Sequence, residues 1–237
     1  IYSTIPDLRK KGVTFENMDT GNSFDSISDK IYSANVYINS STIAEALEKG
    51  AQIVLAGRVS DPGLALGPCI YEYGWKAYNY DLLAAGTLAG HITECGAQCT
   101  GGNYSKWQDV PNLANIGYPI IEMQSNGEFC ITKHKNTGGL VNRETIGEQI
   151  LYEMGDPSHY ISPDVCVDFT SFIINDLGKN KVSISNVAGN APTNTYKVSI
   201  SYFAGYKATG QLTISGPNAY EKAQHTAEII WKRLKTS

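Results

Sequence analysis

The sequence predicts an α/β fold: a mostly parallel sheet with flanking helices (βαβ units), followed by a strand-rich α+β portion that ends in a helix. A strand, a short helix and a second strand follow one another between Ala34 and Ala56, which is the order of a βαβ unit. The second of these strands, Gln52 to Ala56, is a continuous apolar run, typical of a strand buried on both faces of a parallel sheet. Short runs separated by glycine turns then predict the strand-rich portion. We therefore expect an α/β portion over 1–165 and a strand-rich portion over 166–237, packed as one domain.

The composition excludes several classes of protein. Hydrophobic residues make up 42% of the chain and charged residues 18%, which is typical of a globular protein. The formal charge of −4 and the scattered Lys and Arg predict no nucleic-acid partner. The longest weakly polar run, Leu82 to Gly90, is too short to span a membrane, so no membrane partner is expected. Five cysteines without a dense framework predict a reducing compartment, the cytoplasm, and the opening at Ile1 predicts a fragment of a longer chain.

The elements before the second strand are predicted from local signals. A short helix is expected over Pro6 to Lys11, and a strand over Ala34 to Ile38. Thr42 as N-cap with Glu45 three residues later is a capping box, which predicts a helix that closes at Gly50.

The segment that follows the second predicted strand is a candidate binding site, because ligands collect at strand ends in open α/β sheets. Asp61 before Pro62 is typical of an N-cap and a first helical position. Arg58 has two interpretations that stay open: its guanidinium grips a substrate carboxylate or phosphate, or it forms a structural ion pair with Asp61. Pro68 predicts a kink or an end in the next helix.

The segment from Gly86 to Tyr104 contains most of the reactive side chains. A helix over Asp81 to Ala89 is expected to lead into it, so His91, Cys95 and Cys99 fall at i, i+4 and i+8 on one stripe. Glu94 lies on nearly the same face as His91, which predicts an acid/base pair. The candidate catalytic residues are therefore His91 and Glu94, with Cys95 as an alternative nucleophile.

Two other interpretations of this segment stay open. The outer members of the stripe lie roughly 12 Å apart on a helix, whereas zinc reaches its ligands at about 2.0 to 2.3 Å. A zinc site therefore requires a break in the helix at Gly96, and no other cofactor is predicted. In the last interpretation the segment is a small-residue helix with buried inert cysteines and a histidine bonded to backbone.

Two Thr-Gly-Gly loops predict an anion site. The second loop follows a β-hairpin whose alternating strands flank Asn126-Gly127, and two lysines end its second strand. Free N–H groups, lysines and a following helix N-terminus together form an anion cradle. The predicted substrate-binding residues are Arg58, Thr100, Gly101, Gly102, Lys133, Lys135, Thr137, Gly138 and Gly139. The alternative is an ordinary glycine turn with solvated lysines.

The C-terminal elements carry no cluster of reactive groups. A helix is predicted over Arg143 to Met154, with its cap at Asn142 or Thr145. Strands are predicted over Val165 to Ile174, Lys181 to Ser185, Tyr196 to Phe203 and Gln211 to Ser215. A final amphipathic helix follows Asn218, with the apolar stripe Ala219, Ala223, Ala227, Ile230 and Leu234.

Several long segments in the same order resemble the acyclic terpene utilisation protein A family. They read ANVYI, GRVSDPGLALGP, GHITECGAQCTGGNY, KHKNTGGLVNRETIGEQILYEMGDP and SPDVCVDFT, and they cover most of Ser33 to Thr170. The family is named for gene clusters that degrade citronellol- and geraniol-like compounds as CoA thioesters, and the resemblance implies a branched acyl or carboxylic substrate.

Together, the residues and the resemblance predict an enzyme of acyl-CoA or carboxylic-acid catabolism, of the lyase or hydratase type. Such chemistry needs a base near a carbonyl and donors for an oxyanion. The expected partners are a small-molecule acyl-CoA or carboxylate substrate, and a second copy of the chain or a partner enzyme. The alternative function is a non-catalytic subunit that binds a ligand or a partner enzyme.

Overall fold

The computed structural model describes residues 1–236, which form two compact units, Ile1–Tyr202 and a second that starts at Phe203. The helices are α1 (Ile5–Lys10), α2 (Ser41–Glu48), α3 (Gly63–Tyr73), α4 (Tyr80–Thr93), α5 (Arg143–Leu151) and α6 (Ala219–Leu234). The strands are β1 (Ile31–Val36), β2 (Pro119–Met123), β3 (Phe129–Lys133), β4 (Tyr160–Ile161), β5 (Cys166–Asp168), β6 (Ile173–Gly178), β7 (Lys181–Ser185), β8 (Ala188–Asn190) and β9 (Val198–Tyr202). Short 3₁₀ turns occupy several of the connections.

The sheets of the first unit are antiparallel. One has four strands in the order β2-β3-β7-β6, one has three in the order β4-β5-β8, and β1 pairs with β9. Parallel pairing among residues 1–236 is limited to two isolated bridges, Ile38 with Val59 and Ile116 with Gly138. The predicted mostly parallel sheet with flanking helices is therefore wrong.

The physical reason lies in the second strand of the predicted βαβ unit. Residues 52–56 form no strand, and two of their apolar side chains face solvent, with Ile53 88% and Leu55 98% exposed. The β1 strand pairs instead with the distant β9, in a register that sets Ala34 opposite Ile200. An apolar run predicts a tendency to be buried, but it does not identify the partner that buries it.

Helix α4 is the centre of the hydrophobic core in the first unit. Every residue from Leu83 to Ile92 is buried, and the helix packs against α3, α5, β5 and β8. Small residues permit this: a Cβ on Gly86 would lie 2.6 Å from the Leu66 side chain. The core position of α4 explains why its C-terminal end holds buried polar groups.

Other local predictions have mixed outcomes. The hairpin is confirmed as β2 and β3, and the α5 capping box joins Asn142 and Thr145. Helix α2 starts at Ser41, one residue before the predicted cap. Helix α3 contains Pro68 and continues to Tyr73, so of the predicted kink or end at Pro68 the end is wrong. Among the predicted strands, residues 211–215 have no regular structure.

The second unit holds the predicted final helix. Helix α6 spans Ala219–Leu234, as the amphipathic pattern predicts, and the Phe203 and Tyr206 rings pack edge to face with centroids 5.3 Å apart. Across residues 1–236, every helix is too short or too polar to cross a membrane.

Candidate functional site

A hydrogen bond from the ring nitrogen Nε2 holds the side chain of His91 in the core. His91 is 1% exposed, and its Nε2 lies 3.1 Å from the carbonyl oxygen of Ile150 at the end of α5. Because a carbonyl only accepts hydrogen bonds, Nε2 carries a proton and donates. The rings of Tyr160 and Phe169 pack on the imidazole with centroids 5.4 and 5.5 Å away. The tautomer and the orientation of the ring are thus fixed.

The other ring nitrogen faces Glu94, which caps the end of α4 one turn later. Nδ1 lies 3.4 Å from Glu94 Oε1, within ion-pair distance, but the direction is not that of a hydrogen bond. His91 Nδ1 and Glu94 Oε2 are both buried without a protein partner. A neutral imidazole with its proton on Nε2 offers Nδ1 as an acceptor, and an ionised carboxylate also only accepts. Neither group therefore donates a hydrogen bond to the other.

Glu94 forms part of the wall of a cavity of about 470 Å³. Its side chain is 14% exposed, whereas His91 lies behind it and outside the lining. The lining residues are Asp61, Leu64, Ala65, Gly90, Thr93, Glu94, Cys95, Tyr152 and Glu153. A ligand in this cavity touches Glu94 and not His91.

A close crossing of α3 and α4 positions the residues of this cavity. A Cβ on Gly90 would lie 2.3 Å from the backbone oxygen of Pro62, so only glycine fits at this crossing. The contact brings the start of α3, with Asp61, beside the end of α4, with Glu94. The end of α5 completes the wall through Tyr152 and Glu153.

The cavity is rich in carboxylates. Asp61 pairs with Arg58 at 2.8 Å, so the structure contains the predicted ion pair, and the guanidinium lies 5.0 Å from the Tyr37 ring centroid. Asp61 does not cap α3, whose N-cap is Pro62, so that prediction is wrong. Burial raises the pKa of the Tyr160 hydroxyl, and the charges of Glu94, Asp61 and Glu153 raise it further. All three of these carboxylate residues line the cavity.

The predicted helical stripe does not form. Helix α4 ends at Thr93, and a 3₁₀ turn, Gly96–Gln98, separates the two cysteines. Burial raises the pKa of the Cys99 thiol to about 12, and its Sγ donates to Gly96 O at 3.6 Å. Among residues 1–236, no group of three or more His, Cys, Asp and Glu side chains is placed to hold a metal ion.

Cys95 lies in the cavity wall as a protonated thiol. Burial is the largest cause that raises its pKa, a hydrogen bond from Gln149 lowers it, and the Glu94 charge adds a smaller rise. Since the thiolate is the nucleophile, these surroundings weaken Cys95 as one.

The two Thr-Gly-Gly loops lie together, away from the cavity lining. The Thr100 oxygen accepts from the Leu140 N–H at 2.8 Å, and Thr100 Oγ1 donates to Gly117 O at 2.6 Å. The glycine amides donate to backbone oxygens: Gly101 to Gln98, Gly102 to Ala97, Gly138 to Asn115 and Gly139 to Pro111. Their N–H groups are thus engaged within the protein.

The lysines of the predicted anion cradle also lie outside the cavity lining. Lys133 Nζ donates to the Thr137 carbonyl at 2.8 Å, which ties the end of β3 to the following loop. Thr137 Oγ1 in turn donates to His134 O at 2.7 Å, and Lys135 is exposed.

Several cavity residues escaped the sequence analysis. The sequence predicts that Tyr152 and Glu153 belong to a helix, but α5 ends at Leu151, and Glu153 adopts a left-handed backbone conformation with φ 52°. Gln149 lies on the buried face of α5, and its Nε2 donates to His91 O at 3.1 Å. The sequence does contain a signal for Gln149, since it is a polar residue on the inward face of the predicted helix.

Comparison with known proteins gives one match. No curated protein matches the chain, and no solved structure does. The model of the family described as acyclic terpene utilisation family protein AtuA matches residues 1–237, the whole chain. The protein therefore belongs to the acyclic terpene utilisation family AtuA.

Proposed function

We propose that this chain is an enzyme of branched acyl-CoA or carboxylic-acid catabolism, of the lyase or hydratase type. The observation that carries the proposal is the buried His91–Glu94 pair, which presents a carboxyl group to a cavity of about 470 Å³. Lyase and hydratase reactions move a proton next to a carbonyl, and a carboxyl group is a suitable carrier. Membership of the family supports a substrate from terpene breakdown.

The two residues have different roles in this proposal. Glu94 reaches the cavity and transfers the proton to or from the substrate. His91 is a positioning residue: its bond to the Ile150 oxygen holds the ring, and its Nδ1 lies 3.4 Å behind Glu94 Oε1. A carboxyl group backed by a fixed imidazole is pre-organised for proton transfer.

The charge of the cavity favours an uncharged reacting group. Its lining contains Asp61, Glu94 and Glu153 and no Lys, Arg or His. Arg58 lies outside the lining and offsets part of the charge of Asp61, so Glu94 and Glu153 carry this argument. A free carboxylate in the cavity would meet like charges, whereas the carbonyl of a thioester would not. The proposed substrate is therefore an acyl thioester rather than the free acid.

The anionic part of such a thioester belongs outside the cavity. Arg58 is 42% exposed at its side chain and is our candidate for that contact. The sequence also predicts substrate contacts for a further set of residues, all of which lie outside the cavity lining: Thr100, Gly101, Gly102, Lys133, Lys135, Thr137, Gly138 and Gly139.

A thermal-shift comparison tests the proposal on the full-length protein. The probes are the N-acetylcysteamine thioester of 3-methylbutanoate and free 3-methylbutanoate, which share one carbon skeleton. A thioester at a hundred times its Kd should stabilise the fold by about 2.7 kcal/mol. The free acid should give a smaller shift, and Glu153→Gln should improve its affinity about tenfold by removing one like charge.

Two outcomes contradict the proposal in different ways. Equal shifts from acid and thioester would contradict the argument from charge. An absence of any shift from a series of branched acyl thioesters, with no turnover, would contradict the enzymatic proposal itself.

The second candidate function is a non-catalytic subunit that binds a ligand or a partner enzyme. The observation that favours it is the apolar segment 52–56, where Ile53 and Leu55 are almost fully exposed. Contiguous exposed apolar patches commonly mark protein contacts, and these two residues lie only two positions apart in the chain. This function predicts no turnover by the isolated protein, together with loss of a co-purifying enzyme in Ile53→Ser.

A further inference from the structure

A second, smaller cavity lies next to the first. It has a volume of about 60 Å³, and its wall includes Thr145, Glu148, Gln149 and Tyr152. Tyr152 lines both cavities, so the smaller one adjoins the cavity that holds Glu94.

The Gln149 amide has only one satisfactory orientation. Gln149 is 1% exposed, and one of its terminal atoms lies 3.1 Å from the carbonyl oxygen of His91. Because that oxygen only accepts, the amide nitrogen must face it. The same amide nitrogen is the donor of the Gln149 hydrogen bond that lowers the pKa of Cys95. The amide oxygen is left on the other side.

The amide oxygen needs a donor that the protein does not supply. Gln149 Oε1 is buried and has no protein partner within hydrogen-bonding distance. Two hydroxyl donors in this wall are engaged elsewhere: the Thr145 hydroxyl donates to Asn142 O at 3.2 Å, and the Tyr104 hydroxyl donates to Glu144. Buried oxygens of this kind are normally satisfied by an ordered water molecule.

We propose that the smaller cavity binds water, held by Gln149 Oε1 and the carboxylate of Glu148. The volume has room for about two molecules at about 30 Å³ each. The Ser105 N–H donates to Glu148 Oε2 at 3.0 Å, so Glu148 Oε1 is the carboxylate oxygen left as an acceptor. One water molecule can donate to this oxygen and to Gln149 Oε1 at once. If the proposed function holds, this water is also a store of reactant near the Glu94 cavity, since Tyr152 lines both cavities.

Crystal structures of three full-length proteins test the inference without an activity assay. The wild type should show ordered water within about 3.2 Å of Gln149 Oε1. Gln149→Met has a similar length but no acceptor, so it should lose that water. Gln224→Met is the matched control, since Gln224 bonds Tyr220 on α6, and it should keep the water.

Three results for the wild-type protein would overturn the inference: a dry cavity, a protein donor on Gln149 Oε1, or a metal ion with short oxygen contacts at the site. If Gln149→Met does not fold, the wild-type structure alone decides. Water retained unmoved in Gln149→Met would also overturn it, because another group would then hold the molecule.

Discussion

The end of helix α4, with His91 and Glu94, and the pair of Thr-Gly-Gly loops both combine small and polar residues. They differ in whether their polar atoms are left free to bind a ligand. The first leaves His91 Nδ1 and Glu94 Oε2 buried without protein partners beside a cavity. In the second, the glycine amides at residues 101, 102, 138 and 139 donate to backbone oxygens. A segment of small and polar residues can therefore form either a ligand-binding site or a packing contact between loops. What separates the two is whether polar atoms remain unpaired.

Glycine serves packing in both regions. A Cβ on Gly138 would lie 1.9 Å from the Asn112 oxygen, and one on Gly90 would lie 2.3 Å from the Pro62 oxygen. At Gly90 this close approach leads to an open cavity, whereas at Gly138 it interlocks two loops. The comparison therefore makes opposite predictions for variants in the two regions.

The largest expected effect is on turnover in Glu94→Gln. Glutamine keeps the size of the side chain but cannot carry the proton, so turnover of the best acyl thioester should fall about 10²- to 10⁴-fold while the fold is retained. Steady-state kinetics measure the loss, and circular dichroism checks the fold. The control Glu45→Gln alters only an exposed pair with Lys49 and should leave turnover unchanged. Near-normal turnover in Glu94→Gln would refute the role of this residue.

Gly138→Ala should affect stability, not chemistry. The added methyl group meets the Asn112 oxygen, and overpacking of this kind costs about 1–3 kcal/mol or more of unfolding free energy. Gly147→Ala is the control, because a Cβ at this position has no neighbour within 4 Å. Replacing this helical glycine by alanine should raise the unfolding free energy by about 0.5–1 kcal/mol. Denaturant unfolding measures both. A stable Gly138→Ala protein that fails to bind thioester would show that the loops form part of the site.

Cysteine alkylation should follow the surroundings of each thiol. Burial raises the pKa of Cys95 above its ordinary value of 9.0, so little thiolate forms at neutral pH. The rate of Cys95 alkylation should therefore still be increasing with pH at pH 9.0. Cys99, buried with a pKa of about 12, should stay unmodified in the folded protein. Mass spectrometry after iodoacetamide treatment at several pH values measures the order. Rapid, pH-independent alkylation of Cys95 near neutrality would restore it as a nucleophile.

The smallest effect is expected at the lysines. Lys133→Met removes the bond to the Thr137 carbonyl and should lower the unfolding free energy by about 0.5–1.5 kcal/mol. Lys135→Met, at an exposed position, should change it by less than about 0.5 kcal/mol. Neither variant should change the affinity for an acyl thioester. Weaker binding in Lys133→Met would instead support the anion cradle that the sequence predicts.

Local signals were sufficient for several elements and for part of the site. The Asn126-Gly127 hairpin and the cap of α5 were predictable because turn and cap chemistry act within a few residues. The spacing of His91 and Glu94 on one helical turn likewise predicted their contact. Pairing of β1 with β9 was not predictable, since an apolar strand does not specify its distant partner. Gln149 and Glu153 enter the site only through the packing of α5 on α4.

Ligand protection of Cys95 tests the central claim most directly. Cys95 lies in the wall of the Glu94 cavity, whereas Cys130 is partly exposed on β3 and outside the lining. With the thioester that gives the largest thermal shift at saturation, alkylation of Cys95 should slow markedly while that of Cys130 stays the same. Equal alkylation of Cys95 with and without bound thioester would place the ligand elsewhere and contradict the account.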